Sequence, residues 1–157
     1  MTITISGTSR KFDQAELEQR QQGYHNVYRN TDQCCTMVSA DIPYQFLAKL
    51  IEMSGEGYTL TNKYPITTAP MSYHAHMIKP ESIQQADIEV INKRVKQEYV
   101  AELQAELTEY RELLTQQLLE KAQLAEQKKL DDKKAKLLAE VQKEVNNVFG
   151  EQVVVPA

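Results

Sequence analysis

Residues 81 to 149 contain neither glycine nor proline, whereas eight of the ten Gly and Pro residues lie in the first 80 positions. These two residue types end helices and set turns. A long stretch without either has no local means of stopping a helix, and this constrains the chain more than any other feature. The change of grammar falls at Lys79-Pro80-Glu81-Ser82, which is read as a boundary. It divides the chain into a head at 1–80, a helical oligomerisation region at 81–149 and a short tail at 150–157.

The helical region carries its own pattern. With Ser82 read as the cap, apolar residues recur as Ile88, Ile91 and Val95, then Tyr99, Leu103 and Leu107, then Tyr110, Leu114 and Leu118. The steps of three and four average close to an 11-residue repeat, which favours straight or slightly right-handed packing. Leu130, Leu137, Val141, Val145 and Val148 resume a seam near heptad spacing. Between them lies EQKKLDDKKAK, read either as solvated helix or as a turn where the chain doubles back. If continuous, the helix spans about 65 residues and roughly 95 Å. A head of this size cannot cover such a stripe. The expected partner is another copy of the same chain, giving a homodimer or homotetramer held by Ile88, Ile91, Val95, Tyr99, Leu103, Leu107, Tyr110, Leu114, Leu118, Leu137, Val141 and Val145.

The head reads as a small α+β domain with short antiparallel strands. TITIS at 2–6 alternates like a strand. Asp13 caps a polar helical segment, DQAELEQRQQ, that stops at Gly23. YHNVYRN and CCTMVSA follow as two short strands around a turn at Asn30, Thr31 and Asp32. Asp41 caps a helix, DIPYQFLAKLIEM, with an apolar stripe of Phe46, Leu47, Leu50 and Ile51. SGEG at 54–57 is too short for a phosphate loop and reads as a helix C-cap and turn. YTLTNKYPI and MSYHAHMI form a strand pair joined across Thr67 to Pro70.

Several function classes are excluded or weakened by composition. The chain has 25% charged residues and no apolar run near the roughly 18 residues of a membrane span, so a cytoplasmic protein without membrane contact is expected. Cys34 and Cys35 are adjacent, and bridging neighbours strains the backbone, so they read as small residues of a buried strand. No nucleophile elbow supports a triad, so no catalytic residue and no cofactor is expected. His74 and His76 would share one face of a strand. Two imidazoles can ligate zinc, but a site needs three or four ligands, and only His25, a cysteine or a carboxylate could complete it. The preferred reading is an exposed strand face with Tyr73, Ala75 and Met77 turned to the core, and no metal.

The net charge of -4 argues against a chain coated in basic residues. Residues 1–80 are neutral, with seven cations against seven acids, so an anion-binding surface is sought there. Arg10, Lys11, Tyr24, Tyr28, Arg29, Lys49, Lys63, Tyr64, Tyr73 and Lys79 supply the mixture of rings and scattered cations with which proteins hold single-stranded nucleic acid. In YHNVYRN, read as a strand, Tyr24, Asn26 and Tyr28 share one face, and His25, Val27 and Arg29 share the other.

This layout, a small tyrosine-rich head on a long oligomerising helix in an acidic chain, resembles small phage early proteins of the Drc type, DNA-binding replication coordinators. The resemblance implies a tetramer that prefers single-stranded DNA, acting in replication or early infection in the host cytoplasm. The expected function is therefore a non-enzymatic, homo-oligomeric, sequence-independent binder of single-stranded DNA. The alternative is an adaptor or host-takeover protein that captures a protein partner and binds no nucleic acid.

Overall fold

A computed structural model describes residues 7–150 and 152–157. The expected strand at 2–6 lies outside the described residues. The α+β expectation holds: a small antiparallel sheet is followed by one long C-terminal helix. The elements are α1 (Gln14–Asn30), β1 (Cys35–Ala40), α2 (Pro43–Gly55), β2 (Thr59–Leu60), β3 (Thr67–Ala69), β4 (Ser72–Ile78) and α3 (Glu81–Phe149), with a single 3-10 turn at Asp32–Cys34. Helix α3 runs without interruption for 69 residues, so EQKKLDDKKAK is solvated helix rather than a turn.

Asp13 caps α1 as its position suggests, accepting a hydrogen bond from the Ala15 amide at 2.9 Å. The helix does not stop at Gly23 but continues to Asn30, which corrects the strand expected over YHNVYRN. The reason is tertiary. Leu17 and Tyr28 are three turns apart on one face, and both are buried against α3. A helix anchored at both ends tolerates a glycine costing about 1 kcal/mol in its middle. Helix α2 starts at Pro43 rather than at an Asp41 cap, with Ile42 as N-cap and no side-chain capping bond. Proline at the first helical position lacks the N–H that a cap would satisfy. At its other end Gly57 adopts φ +98, so SGEG is the helix stop and turn read from the sequence. Ser82 does not cap α3. The helix opens on Pro80, whose carbonyl accepts from the Ile83 and Gln84 amides at 3.0 Å each.

Strand β4 is the centre of the sheet. It pairs with β1 along Cys35↔Ile78 to Ala40↔Tyr73 on one side, and with β2 and then β3 on the other. Residues 67–69 are thus a strand, not the connection expected there, and the reversal is at Pro70 and Met71, the latter at φ 63. Helix α2 packs on one face of the sheet through Phe46, which meets the Tyr73 ring at 5.9 Å, and Phe46, Val38, Ala75 and Met77 are all buried.

The chain forms two compact units. One is residues 10–104 and the other is built on residues 105–157. Helix α3 begins at the expected boundary, but its first seven turns belong to the head's unit. Ile88, Val95, Tyr99 and Leu103 are buried with Leu17, Tyr28 and Cys34, and Ile91 packs against both groups. This corrects their assignment to oligomerisation: α1 of the same chain covers that part of the stripe. In the second unit Leu107 and Tyr110 are half-buried, while Leu114, Leu118, Leu130, Leu137, Val141, Val145 and Val148 are exposed. No helix among the described residues is long and apolar enough to cross a membrane.

Candidate functional site

The ten residues expected to bind nucleic acid do not form one surface. Tyr28 is 3% exposed, its hydroxyl donates to Asp87, and Lys79 donates to the same carboxylate at 2.8 Å. Burial first and the Asp87 hydrogen bond second push the Tyr28 phenol well above its usual range, while the Lys79 and Tyr28 bonds hold the Asp87 carboxyl below its own. Tyr28 is therefore a core residue, and its expected role as a displayed ring is corrected. It sits at the joint of α1 and α3 because a phenol can bury its ring and still bond an acid at the edge.

Other cations are also engaged within the head. Arg10 bonds Glu102, and Arg20 reaches Glu102 at 2.7 Å and Glu16 at 2.8 Å. The Arg20 bond, then Arg10, lowers the Glu102 carboxyl to about 2. Arg94 lies 3.7 Å from Glu98, with its guanidinium 5.6 Å from the Tyr24 ring centre. Tyr24 is exposed on α1, away from the sheet. Lys49 donates to the Ser39 carbonyl at 2.8 Å beside α2, and half-buried Tyr73 packs beneath that helix. Lys11 is exposed near the start of α1.

The residues brought together are Lys63 and Tyr64. Arg29 is exposed at the C-terminal end of α1. The next residue, Asn30, offers its carbonyl to Lys63 Nζ at 2.8 Å. That ammonium is 5.8 Å from the Tyr64 ring centre, and Tyr64 in turn lies 4.9 Å from the His76 ring. Burial, followed by the nearby Cys35 and Asp32, raises the Tyr64 phenol. Asp32 is an acid that faces this group, beside the cation Lys63.

These residues border the face of the sheet opposite α2. Pleating assigns sides: Tyr73, Ala75 and Met77 turn toward α2, so His74, His76 and Ile78 turn away, as the alternation of SYHAHMI indicates. By register, Cys35, Met37 and Ser39 of β1 and Thr67 of β3 join them. Cys35 packs with the Tyr28, Cys34 and Ile88 cluster, which closes that end. His74 and Thr67 are half-buried on this face, Met37 and Ser39 are exposed, and α2 is the only helix that packs broadly on the strands among the described residues. His74 and His76 belong to this surface, and both are among the rings that the sequence offers for stacking. Their signal was the two-residue period itself.

Two other chemistries find little support in the geometry. The Cys34 and Cys35 sulfurs are 3.9 Å apart, and burial, then Cys34, pushes the Cys35 thiol up to about 11, so it is a poor nucleophile at neutral pH. Among the described residues no three His, Cys, Asp or Glu side chains gather closely enough to hold a metal ion. His25, the third histidine, bonds Asn92 at 2.6 Å between α1 and α3. A separate apolar cleft of about 580 Å³ lies between α2 and β2, lined by Leu47, Leu50, Ile51, Tyr58, Leu60 and Met77. Comparison with protein-family models, with curated proteins and with solved structures finds no match to this chain.

Proposed function

We propose that this chain is a non-enzymatic homo-oligomer, dimer or tetramer, whose heads bind single-stranded DNA without sequence specificity. The carrying observation is Lys63 beside the Tyr64 ring at a sheet face on which no helix packs broadly among the described residues, with Arg29 exposed one residue before the carbonyl that holds Lys63. Cations next to a ring are the two elements of sequence-independent single-strand binding. The exposed apolar residues between Leu114 and Val148 supply the contact between copies. Several weak heads on one assembly gain effective concentration for a shared strand. The resemblance in layout to phage early proteins adds the setting, a replication or early-infection role in the host cytoplasm.

The test is fluorescence anisotropy with labelled single-stranded and duplex oligonucleotides at low and near-physiological salt. Two phosphates neutralised per head predict a slope of log affinity against log salt of about -1.4 per engaged head. Arg29→Glu with Lys63→Glu should weaken binding while the mass of the assembly stays fixed. No binding to either oligonucleotide at low salt would remove this reading. A second reading, a protein adaptor, is favoured by the α2–β2 cleft with its exposed Leu47, Ile51 and Leu60. It expects capture of a protein partner that is lost on Ile51→Asp.

A further inference from the structure

The geometry points to Tyr64, backed by His76, and His74 as two neighbouring stacking surfaces for bases of an extended single strand, with Lys63 on a phosphate at the Tyr64 end. The inference rests on the single-stranded DNA reading and assigns its subsite. Tyr64 lies against His76 at 4.9 Å between ring centres and a 44° tilt, so the imidazole props the phenol ring above the sheet. His76 Nδ1 is enclosed there, with no hydrogen-bond partner among the described residues. His74 is two residues along the same strand and on the same face, its Nε2 3.2 Å from Ser72 Oγ. The strand neighbours of His74 are Ser39 and Thr67, which are small and uncharged and leave room for a planar ligand. Lys63 is tied to a neutral carbonyl, so among its described contacts no carboxylate neutralises it. Asp32 at the border opposes an anion.

The use of ring faces carries the preference for single strands. An unpaired strand offers free base faces to Tyr64 and His74. A duplex keeps its bases stacked and paired and offers none along its length without unpairing.

The chain has no tryptophan, so Tyr64→Trp places a single indole emitter at the proposed stack. Titration of this variant with unlabelled oligothymidylate at low salt should quench the emission, saturating where wild-type anisotropy with the labelled oligonucleotide saturates. His74→Ala and Tyr64→Ala should each weaken binding by roughly 5- to 100-fold, the loss of one stacked base. Tyr64→Phe should bind as wild type does, and Tyr24→Ala, on α1, should change nothing. Lys63→Ala should lower the salt slope by about 1 per engaged head. If wild type binds single strands but Tyr64→Trp emission is unmoved, and both alanine variants bind normally, the platform is wrong and the function stands. If wild type binds no single strand, both fall.

Discussion

Replacing Leu17 with alanine tests whether α1 is the partner that covers the first part of the α3 stripe. Leu17 is 3% exposed and packs in one cluster with Val95, Tyr99 and Leu103, flanked by Ile91. The substitution removes three carbons, about 2.4 kcal/mol at roughly 0.8 kcal/mol per buried methylene. The hole adds a cavity term, and the total for such leucines runs to about 3 kcal/mol. For a unit near 100 residues, each kcal/mol moves the melting temperature by about 4–8 °C, so a fall of roughly 12–24 °C is expected. Far-UV circular dichroism is dominated by the 69-residue helix. Tyrosine emission from buried Tyr28 and Tyr99 is therefore the better probe, followed through a urea transition with an unchanged slope. Leu47→Ala, at an exposed position on α2, is the control and should shift stability by less than about 0.5 kcal/mol. A Leu17→Ala protein within that same margin of wild type would refute the docking of α1 on α3.

Leu114→Asp with Leu118→Asp should reduce the mass measured by light scattering below that of wild type; an 18 kDa wild-type species at micromolar concentration would end the oligomer reading instead. The folded carboxyls of Glu16, Asp87 and Glu102 sit below their ordinary values, so the unfolded chain binds more protons as pH falls and their stabilisation is lost. For Glu102 the loss runs from about pH 4.5 down to about 2, and Glu102→Gln should flatten an acid titration of tyrosine emission over that window. Gly23 lies inside α1 with open space around its Cα, so Gly23→Ala should raise stability by about 1 kcal/mol in denaturant melts. Met71 holds a positive φ in the β3–β4 turn, where glycine is preferred, and Met71→Gly should stabilise by about 0.5–1 kcal/mol in the same assay.

The parts legible in the sequence were those fixed by local chemistry. Asp13 as a cap, the stop at SGEG, the alternation of SYHAHMI and the absence of breakers after Pro80 each act within a few residues. YHNVYRN was misread because its rings and valine suit a strand, and nothing nearby shows that Leu17 and Tyr28 both meet α3. The same long-range contact hid Tyr28 and the first part of the α3 stripe. The cations were countable in advance, but their pairing was not: Arg10 and Arg20 meet Glu102 across more than 80 residues of chain. Of the residues expected to bind, Lys63 and Tyr64 are a cation and a ring in contact outside the core, whereas Lys11, Tyr24 and Lys49 are dispersed over α1 and α2.

For the proposed oligomer, that reassignment also changes which residues would hold copies together. With Ile88 to Leu103 occupied by α1, the stripe left in water runs from Leu114 to Val148. At 1.5 Å per residue it is about 50 Å long, and at a helix width near 12 Å it can bury roughly 600 Å² per chain. Two chains then bury about 1,200 Å², just above what a specific interface needs, whereas either end of the stripe alone falls to the level of a crystal contact. The two ends do not face the same way. From Leu118 to Leu137 the helix advances 19 residues at about 100° each, leaving the second leucine roughly 100° around the axis from the first. A single partner helix lying straight along α3 covers one end and leaves the other wet. An assembly with partners on two sides covers both, so the area and the phase of the stripe together favour more than two chains.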